Sequence, residues 1–183
     1  MSERQARGGT LILGGGFAGA WVARLLGKRG LESTVVNREN FMLFASLLPE
    51  AASGSLEPRH VVVPLRQMCP HAELLLGRVR ALDRAARTAT VSSEAGEHRV
   101  RYDRLVVALG SVVRVLPVPG LAEHGLGFKS LADAIALRNH VLRRLEAADA
   151  AEDADARRRE LAFVFVGAAS TSTQRCGASR SRG

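Results

Sequence analysis

The feature that most constrains this chain is a glycine-rich turn, residues 14–19, that lies between an apolar run and a helical pattern. Residues 11–13 before the turn predict a short buried strand, and the apolar spacing over 17–28, which includes Trp21 and Leu25, predicts a helix. Residues 33–37 predict a second buried strand, which completes a right-handed βαβ unit. A strand, a Gly-x-Gly-x-x-Gly turn and a helix in this order are typical of an α/β domain that binds a dinucleotide.

Each glycine of this turn meets a separate physical requirement of such a site. Gly14 allows the tight bend, Gly16 removes a Cβ that would keep a diphosphate from the backbone, and Gly19 lets the helix pack on its strand. The free amides and the dipole of the helix N-terminus then favour negative charge. The alternative interpretation is an ordinary glycine-rich loop between a strand and a helix.

Composition restricts the classes of protein to which the chain can belong. Its 183 residues are 46% hydrophobic and 24% charged, which is typical of a globular protein with one good core. Its apolar runs are far shorter than the roughly 20 residues of a transmembrane helix, and residues 1–7 lack a signal-peptide core, so we expect no transmembrane segment and a cytoplasmic location. The net charge is +8, but basic residues are scattered among acids and aromatic residues are few, which argues against nucleic acid as a partner.

Cysteine, histidine and tyrosine positions give no support for a metal site, a redox disulfide or a short-chain dehydrogenase. Cys69 and Cys176 are far apart and form no CxxC pair, so we expect both to be reduced thiols. The five histidines are unclustered and are interpreted as structural or exposed. A Tyr-x-x-x-Lys pair is missing, because Tyr102 is followed at that spacing by Val106.

The central part of the chain predicts a small β-meander inserted into the parallel sheet. After a helix over 59–68 that Pro64 interrupts, the periodicity changes to two. The short strands predicted from this pattern are 73–76, 78–82, 88–91 and 100–102. Residues 104–110 then predict a buried parallel strand that ends in glycine, at the edge of a sheet where ligands bind.

Two helical or apolar segments complete the pattern. Residues 130–148 predict a helix that begins with a capping box formed by Ser130 and Asp133, and 152–160 predict a solvated connection. Residues 40–54 are too apolar for an exposed loop, so they form either a core-packing helix between turns or a wall along an aromatic cofactor. Glu50 in this segment is interpreted as an exposed turn acid.

Four motifs in this order resemble type II NADH dehydrogenases of the FAD-dependent pyridine nucleotide-disulfide oxidoreductase superfamily: residues 13–19, 37–41, 47–54 and 102–111. The resemblance covers about residues 9–167 and implies the N-terminal portion of such a protein. It implies a Rossmann-like FAD-binding domain with a parallel sheet and an inserted β-meander, in truncated form. It also implies FAD as cofactor, NADH as co-substrate and quinone as acceptor, the last two only in an intact parent that docks peripherally on the cytoplasmic membrane face.

The same resemblance implies which residues bind the cofactor. The FAD pyrophosphate would be cradled by Gly14, Gly16, Phe17, Ala18 and Gly19. Asn37 and Arg38 would flank the adenosine ribose, although an acid normally grips the ribose at the position of Asn37. The backbone of Val79 would meet the adenine, and residues 108–110, including Ala108 and Gly110, would pass near the middle of the cofactor.

Residues 47–54 would line the flavin ring, although Ser46 replaces a proline of that motif. No side chain is assigned a catalytic or metal-binding role, because the flavin performs the difficult step.

The C-terminal end departs from the resemblance. A second glycine fingerprint is expected after residue 167, but residues 168–183 lack apolar periodicity and acids, so we interpret them as an aberrant, disordered tail produced by out-of-frame translation. A genuine flexible basic tail is the alternative. The expected parts are an incomplete FAD-binding domain, a helix with its connection, the first strand of an NADH-binding domain and the tail, over 1–125, 126–160, 161–167 and 168–183.

The resemblance implies that the parts that complete the FAD domain and form the NADH site are missing, which would leave apolar surface of the parallel sheet exposed. We therefore expect poor stability, weak or absent FAD retention and no turnover. Two alternatives to the FAD-binding portion of an NADH:quinone-type oxidoreductase stay open at this point. One is a non-catalytic nucleotide-binding module, and the other is a non-functional truncated product.

Overall fold

The computed structural model describes residues 2–112 and 115–166, which form two compact units that divide between His140 and Val141. The described strands, all in the first unit, are β1 (Ser2–Gln5), β2 (Thr10–Leu13), β3 (Ser33–Asn37), β4 (Phe41–Leu43), β5 (Val62–Pro64), β6 (Ala72–Leu76), β7 (Arg78–Asp83), β8 (Thr88–Ser93), β9 (Gly96–Arg101) and β10 (Arg104–Val107). The described α-helices are α1 (Phe17–Lys28), α2 (Leu48–Ser53), α3 (Leu65–Met68), α4 (Leu121–His124), α5 (Leu131–Ala150) and α6 (Ala154–Glu160).

A four-stranded parallel sheet with the order β10-β2-β3-β6 is the centre of the first unit. The predicted unit of β2, α1 and β3 is confirmed, with α1 beginning and ending at the expected residues. Side chains alternate along β2, so Leu11 and Leu13 join one buried cluster while Ile12 joins another on the opposite face. This sheet holds the end of β2 rigidly where the glycine turn begins.

Helix α1 contacts the sheet through small residues and through two larger apolar ones. Ala20 and Ala23 are buried in the cluster around Ile12, and Val22 and Leu26 pack against that cluster. Trp21 and Leu25 are about half exposed and lie on the solvent side. Small side chains on the inner face let the helix backbone approach the sheet closely, and that is what the third glycine of the turn requires.

A second four-stranded sheet, with the order β1-β9-β8-β7, contains the predicted meander. The strand expected at 73–76 is not part of it, because β6 pairs in parallel with β3 in the main sheet. The chain passes from one sheet to the other at Gly77, whose amide donates to the carbonyl of Asn37 at 2.8 Å. Strand β1, which the sequence analysis left undescribed, adds to the meander in parallel with β9.

The helix expected over 59–68 forms only in its last part. A 3-10 turn over Pro58–Val61 leads into β5, which pairs antiparallel with β4, and α3 begins after Pro64. Proline lacks an amide hydrogen and disfavours helical backbone at the residue before it, so Val63 remains extended. The predicted interruption at Pro64 is present, but the part of the predicted helix before it was wrong, because that part forms a 3-10 turn and a strand.

Strand β10 is half exposed, in contrast to the buried strand expected over 104–110. Among the described residues it pairs only with β2, and Val107 is 60% exposed. It is therefore an edge strand. The capping box of α5 is confirmed: the amide of Asp133 donates to Ser130 Oγ at 3.1 Å, and the amide of Ser130 donates to Asp133 Oδ2 at 2.8 Å.

The second unit differs from expectation in two places. The predicted connection at 152–160 contains α6, whose N-cap Asp153 accepts hydrogen bonds from the amides of Asp155 and Ala156. The strand expected over 161–167 is not formed within its described part, where Val164 is 86% exposed. A strand needs a neighbour for its amides and carbonyls, and no described strand pairs with 162–166.

Residue 167 and the tail predicted over 168–183 lie outside the described residues. Within the described ranges, no helix combines the length and the apolar character needed to cross a bilayer.

Candidate nucleotide-binding site

The glycine turn lies where parallel strands of the main sheet end. Strands β2, β3 and β10 all point the same way, so their carboxyl ends meet at one edge of the sheet. The amide of Gly14 donates to the carbonyl of Val36 at 2.8 Å, and the amide of Ala108 donates to the carbonyl of Leu13 at 2.8 Å. The turn is therefore fastened to the strands on both sides of it. Ligands of open α/β sheets bind at this edge.

Two of the three fingerprint glycines are required by the fold itself. Gly14 has φ +103°, and a Cβ on it would collide with the carbonyl oxygen of Ala108. A Cβ on Gly19 would collide with the carbonyl oxygen of Gly14. Both neighbours are backbone atoms that cannot rotate away, so these positions allow β2, the turn and α1 to pack at close range.

Gly16 is different, because nothing in the fold requires glycine there. Its φ and ψ are −75° and −165°, an extended conformation open to any residue, and no atom lies within 4 Å of a Cβ built on it. Gly16, Phe17 and Ala18 are exposed. The space in front of Gly16 is thus open to a ligand that must approach the backbone, as the fingerprint argument expects.

The N-terminus of α1 is free to bind an anion. Gly16 is its N-cap and supplies no side-chain oxygen. The first intrahelical bond runs from the amide of Ala20 to the carbonyl of Gly16 at 2.9 Å, so the amides that precede Ala20 in the helix have no helical acceptor. These amides and the helix dipole favour a diphosphate at this point.

Asn37 connects three segments at the end of β3. Its side-chain Oδ1 accepts a hydrogen bond from the amide of Gly15 at 2.9 Å, and its Nδ2 donates to the carbonyl of Glu39 at 2.9 Å. Its own carbonyl accepts from Gly77. Asn37 was expected beside a ribose, but its bond to the turn was not predicted. The bond joins residues 22 positions apart, so no local sequence pattern indicates it.

The other predicted contacts for the adenosine half lie near this strand end. Arg38 and Glu39 follow Asn37 and are exposed. Val79 is on β7, shortly after the Gly77 bond to Asn37, and packs against the cluster that contains Leu13 and Val36. The main sheet therefore brings Asn37, Arg38 and the start of β7 to the same region as the glycine turn, whereas the sequence alone placed them in separate motifs.

The apolar segment 40–54 lies beside the turn through an aromatic contact. The ring of Phe17 meets the ring of Phe44 edge to face, with centroids 5.1 Å apart. Helix α2 within the segment buries Leu48 and Ala51 and ends at Gly54, which has φ +83°. The segment thus contributes both to the core and to the surface next to the turn, so its core-packing helix is present, and the wall along a cofactor stays a prediction.

Glu50 of α2 is not the exposed turn acid that we expected. The residue is only partly accessible, and its Oε2 atom is buried without a hydrogen-bond partner in the described residues. No local sequence pattern indicates this burial, because burial of a single side-chain atom depends on tertiary packing.

Residues 108–110 continue from β10 past the turn. Ala108 is half-buried and its carbonyl oxygen limits position 14 to glycine, while Gly110 is exposed with φ +73° and open space around it. Farther along, Lys129 Nζ donates to Ser111 Oγ at 3.1 Å. The predicted contact of Ala108 and Gly110 with the middle of a cofactor is compatible with this position beside Gly14.

Cys69 is buried and is not a reactive group. Its Sγ donates to the carbonyl of Ala20 at 3.3 Å, and burial raises the pKa of its thiol, with the charge of Arg24 opposing that rise. Among the described residues, no three His, Cys, Asp or Glu side chains are grouped so that they could hold a metal ion. The chemistry of the site therefore depends on backbone amides and on what they bind.

The candidate site is an open surface rather than a pocket. A cleft of about 260 Å³ lies at the opposite end of α1, lined by residues that include Gly27, Leu31 and His71. That cleft opens at the amino ends of the strands, where α/β sheets do not bind their ligands. We therefore place the candidate site at the open surface around Gly16.

Comparison with known proteins gives the family. The model of the pyridine nucleotide-disulphide oxidoreductase family matches residues 9–183, a range that includes the tail that we interpreted as aberrant. The chain is 32% identical over 181 residues to type II NADH:quinone oxidoreductase NdhA of Mycobacterium tuberculosis, covering 96% of this chain and 38% of that protein. It is 30% identical over 177 residues to a probable mitochondrial NADH-ubiquinone oxidoreductase of Schizosaccharomyces pombe, covering 91% and 32%.

The fold of this chain is also similar to that of a solved structure. The structure of NDH2 from Plasmodium falciparum in complex with NADH superposes with a TM-score of 0.70 and 20% identity, over 85% of this chain and 32% of that one. The chain thus spans about a third of the length of the curated relatives that it matches. The predicted Rossmann-like α/β fold and the predicted similarity to type II NADH dehydrogenases are confirmed. This chain belongs to the pyridine nucleotide-disulphide oxidoreductase family.

Proposed function

We propose that this chain is the FAD-binding part of an NADH:quinone-type oxidoreductase. The observation that carries the proposal is the contrast between Gly16 and its neighbours in the turn. Gly14 and Gly19 are required by packing, whereas glycine at position 16 has no packing reason. A ligand that approaches the backbone supplies the missing reason, and the family of the chain supports a flavin dinucleotide as that ligand.

The residues present fit such a cofactor. The open surface at Gly16, Phe17 and Ala18 would hold the pyrophosphate against free amides, between the close-packed Gly14 and Gly19. Asn37 and Arg38 would lie at the adenosine ribose. Val79 would lie at the adenine, and Ala108 and Gly110 near the middle of the cofactor.

When bound, the flavin would accept hydride from NADH and pass electrons to a quinone. This chain's own residues would bind and orient that group and would shield one side of it with the apolar surface of segment 40–54. No acid or base is assigned, because the described residues bring no such pair to the turn. The proposal includes residues 1–125 as the FAD-binding domain, 126–160 as helix and connection, and 161–167 as the beginning of an NADH-binding domain. The aberrant origin of 168–183 stays a prediction that resequencing of the locus tests.

NADH, quinone and a peripheral membrane contact belong to the proposal for a longer parent protein. The relatives that support this are named as NADH:quinone and NADH-ubiquinone oxidoreductases, and the chain matches about a third of their length. A cytoplasmic location is part of the same proposal.

The test is a titration of the purified chain with FAD, followed by its visible spectrum and by calorimetry. We expect weak but saturable FAD binding by the unaltered chain. We expect Gly16→Val to abolish it, because its Cβ lies in open space and the new side chain fills the space that the pyrophosphate needs. Ala85→Val is the matched control, since it adds bulk at an exposed turn after β7.

Circular dichroism distinguishes the outcomes. A folded chain that binds neither FAD nor another dinucleotide contradicts the proposal and favours a non-functional product. A Gly16→Val variant that is folded and still binds FAD as tightly as the unaltered chain contradicts the site.

A further inference from the structure

We infer that the strand end at Asn37 and Arg38 accepts an adenine nucleotide that carries a phosphate on the 2′-hydroxyl of its adenosine ribose. The inference rests on the proposed function, because it concerns the nucleotide specificity of the same glycine turn. FAD lacks this phosphate, so the inference adds a second class of nucleotide to the one already proposed.

The charge at the strand end is the first argument. In dinucleotide sites an acid at this position hydrogen-bonds the ribose hydroxyls, and its charge also repels a 2′-phosphate. Here the position is Asn37, a neutral side chain. Because the strand end lacks the acid, the site lacks the group that would exclude the phosphate.

The hydrogen bonds of Asn37 are the second argument. Its Oδ1 accepts from the amide of Gly15 and its Nδ2 donates to the carbonyl of Glu39, both at 2.9 Å. The turn and the Glu39 carbonyl therefore hold the side chain in place and use half of its hydrogen-bonding capacity. One Nδ2 hydrogen and one Oδ1 lone pair are left for the ribose hydroxyls, and these neutral groups do not repel a phosphate.

Arg38 is the third argument. Its side chain is exposed, and among the described residues no carboxylate forms an ion pair with it. A guanidinium offers a planar pair of donors that matches two phosphate oxygens. An arginine near this strand end is also the group that accommodates a 2′-phosphate in dinucleotide sites. Glu39 is the next residue, and its negative charge is the one local feature that opposes the phosphate.

The experiment compares ADP-ribose with 2′-phospho-ADP-ribose by calorimetry on the full chain. We expect the unaltered chain to bind the phosphorylated ligand at least as tightly as the other. Arg38→Gln should weaken binding of the phosphorylated ligand roughly fivefold more than it weakens binding of ADP-ribose, since the charge-assisted contact that is lost is with the 2′-phosphate. Arg29→Gln is the matched control, because Arg29 is also exposed but follows the opposite end of α1.

A second variant tests the role of charge at the strand end. Asn37→Asp keeps an acceptor for the Gly15 amide but restores the acid, so it should weaken 2′-phospho-ADP-ribose roughly tenfold through like-charge repulsion. It should bind ADP-ribose at least as tightly as the unaltered chain. If this variant does not fold, Arg38→Gln still tests the inference, because the fold does not depend on a contact of Arg38.

The possible results separate the inference from the proposed function. If FAD and ADP-ribose bind but the unaltered chain binds 2′-phospho-ADP-ribose more than tenfold more weakly, the inference is wrong and the proposed function stands. The same holds if Arg38→Gln and Arg29→Gln behave alike. If FAD and both ribose ligands fail to bind a folded chain, the proposed function fails and the inference fails with it.

Discussion

The side-chain oxygen of Asn37 accepts the amide hydrogen of Gly15 at 2.9 Å, which ties the end of β3 to the glycine turn. The bond connects two parts of the chain that the sequence presents as separate motifs. It also gives the strand end a structural role in addition to the ribose contact proposed for it. The bond should affect both the stability of the fold and nucleotide binding, and variants at position 37 test its effect on stability.

Replacing Asn37 with Leu should destabilise the fold. The Gly15 amide is only partly accessible, so the loss of its acceptor should lower the free energy of unfolding by about 1–2 kcal/mol. Urea denaturation followed by circular dichroism measures the change. Asn37→Asp is the control, since its carboxylate can still accept from Gly15, and equal stability of the Leu and Asp variants would show that this bond contributes nothing.

Alanine should destabilise the fold at position 19 but not at position 16. Gly19→Ala places a methyl group against the carbonyl oxygen of Gly14, and such overpacking against backbone should cost about 1–3 kcal/mol. Gly16→Ala meets open space in an extended backbone and should change the free energy of unfolding by less than about 0.5 kcal/mol. Thermal denaturation of both variants checks this, and similar melting temperatures for the two would contradict the packing described for Gly19.

The stability of α5 should depend on pH through Asp133. The amides of Lys129 and Ser130 donate to its carboxylate and lower its pKa below the ordinary value. A carboxylate whose pKa is lower in the folded than in the unfolded chain stabilises the fold above its unfolded pKa, and this contribution is lost as the pH falls through the folded pKa.

Asp133→Asn should therefore be less stable than the unaltered chain at neutral pH, with a difference that shrinks below about pH 4. Denaturation at a series of pH values measures this difference. Asp149→Asn, at an exposed position near the end of the same helix, is the comparison variant. A difference between Asp133→Asn and the unaltered chain that stays constant into the acid range would contradict the role given to the carboxylate.

The chain should not catalyse oxidation of NADH by a soluble quinone beyond the rate of free FAD. Its described residues contain one glycine fingerprint, at the turn proposed for the flavin nucleotide, and no described segment supplies a second. An NADH oxidation assay with added FAD and quinone measures the rate, with FAD alone as the control. Turnover that depends on the protein and disappears in Gly16→Val would contradict this expectation, because it would show that this part of the family's structure is sufficient for catalysis.

Local patterns predicted the βαβ unit and the capped helix because both depend on neighbours in sequence. The apolar run before Gly14, the helical spacing after it and the pair of Ser130 and Asp133 each encode their structure within a few residues. The same reasoning located the glycine turn and the strand end at Asn37. It also gave the physical role of Gly19, which the collision with the Gly14 carbonyl supports.

The missed features depend on contacts between distant residues. An alternating pattern cannot say which sheet a strand joins, so β6 was assigned to the meander although it pairs with β3. The bond from Gly15 to Asn37 and the buried oxygen of Glu50 depend likewise on how the elements pack. The apolar spacing that includes Trp21 and Leu25 predicted the helix, but periodicity alone does not show which face of α1 meets the sheet.

The open backbone at Gly16 has a consequence for how sequences of this family should vary. Positions 14 and 19 are held by folding, so they should stay glycine in every descendant that remains folded. Position 16 is free of that constraint, and only selection for cofactor occupancy would preserve it. A lineage that has abandoned the flavin should therefore accumulate substitutions at position 16 first, while the glycines on either side persist.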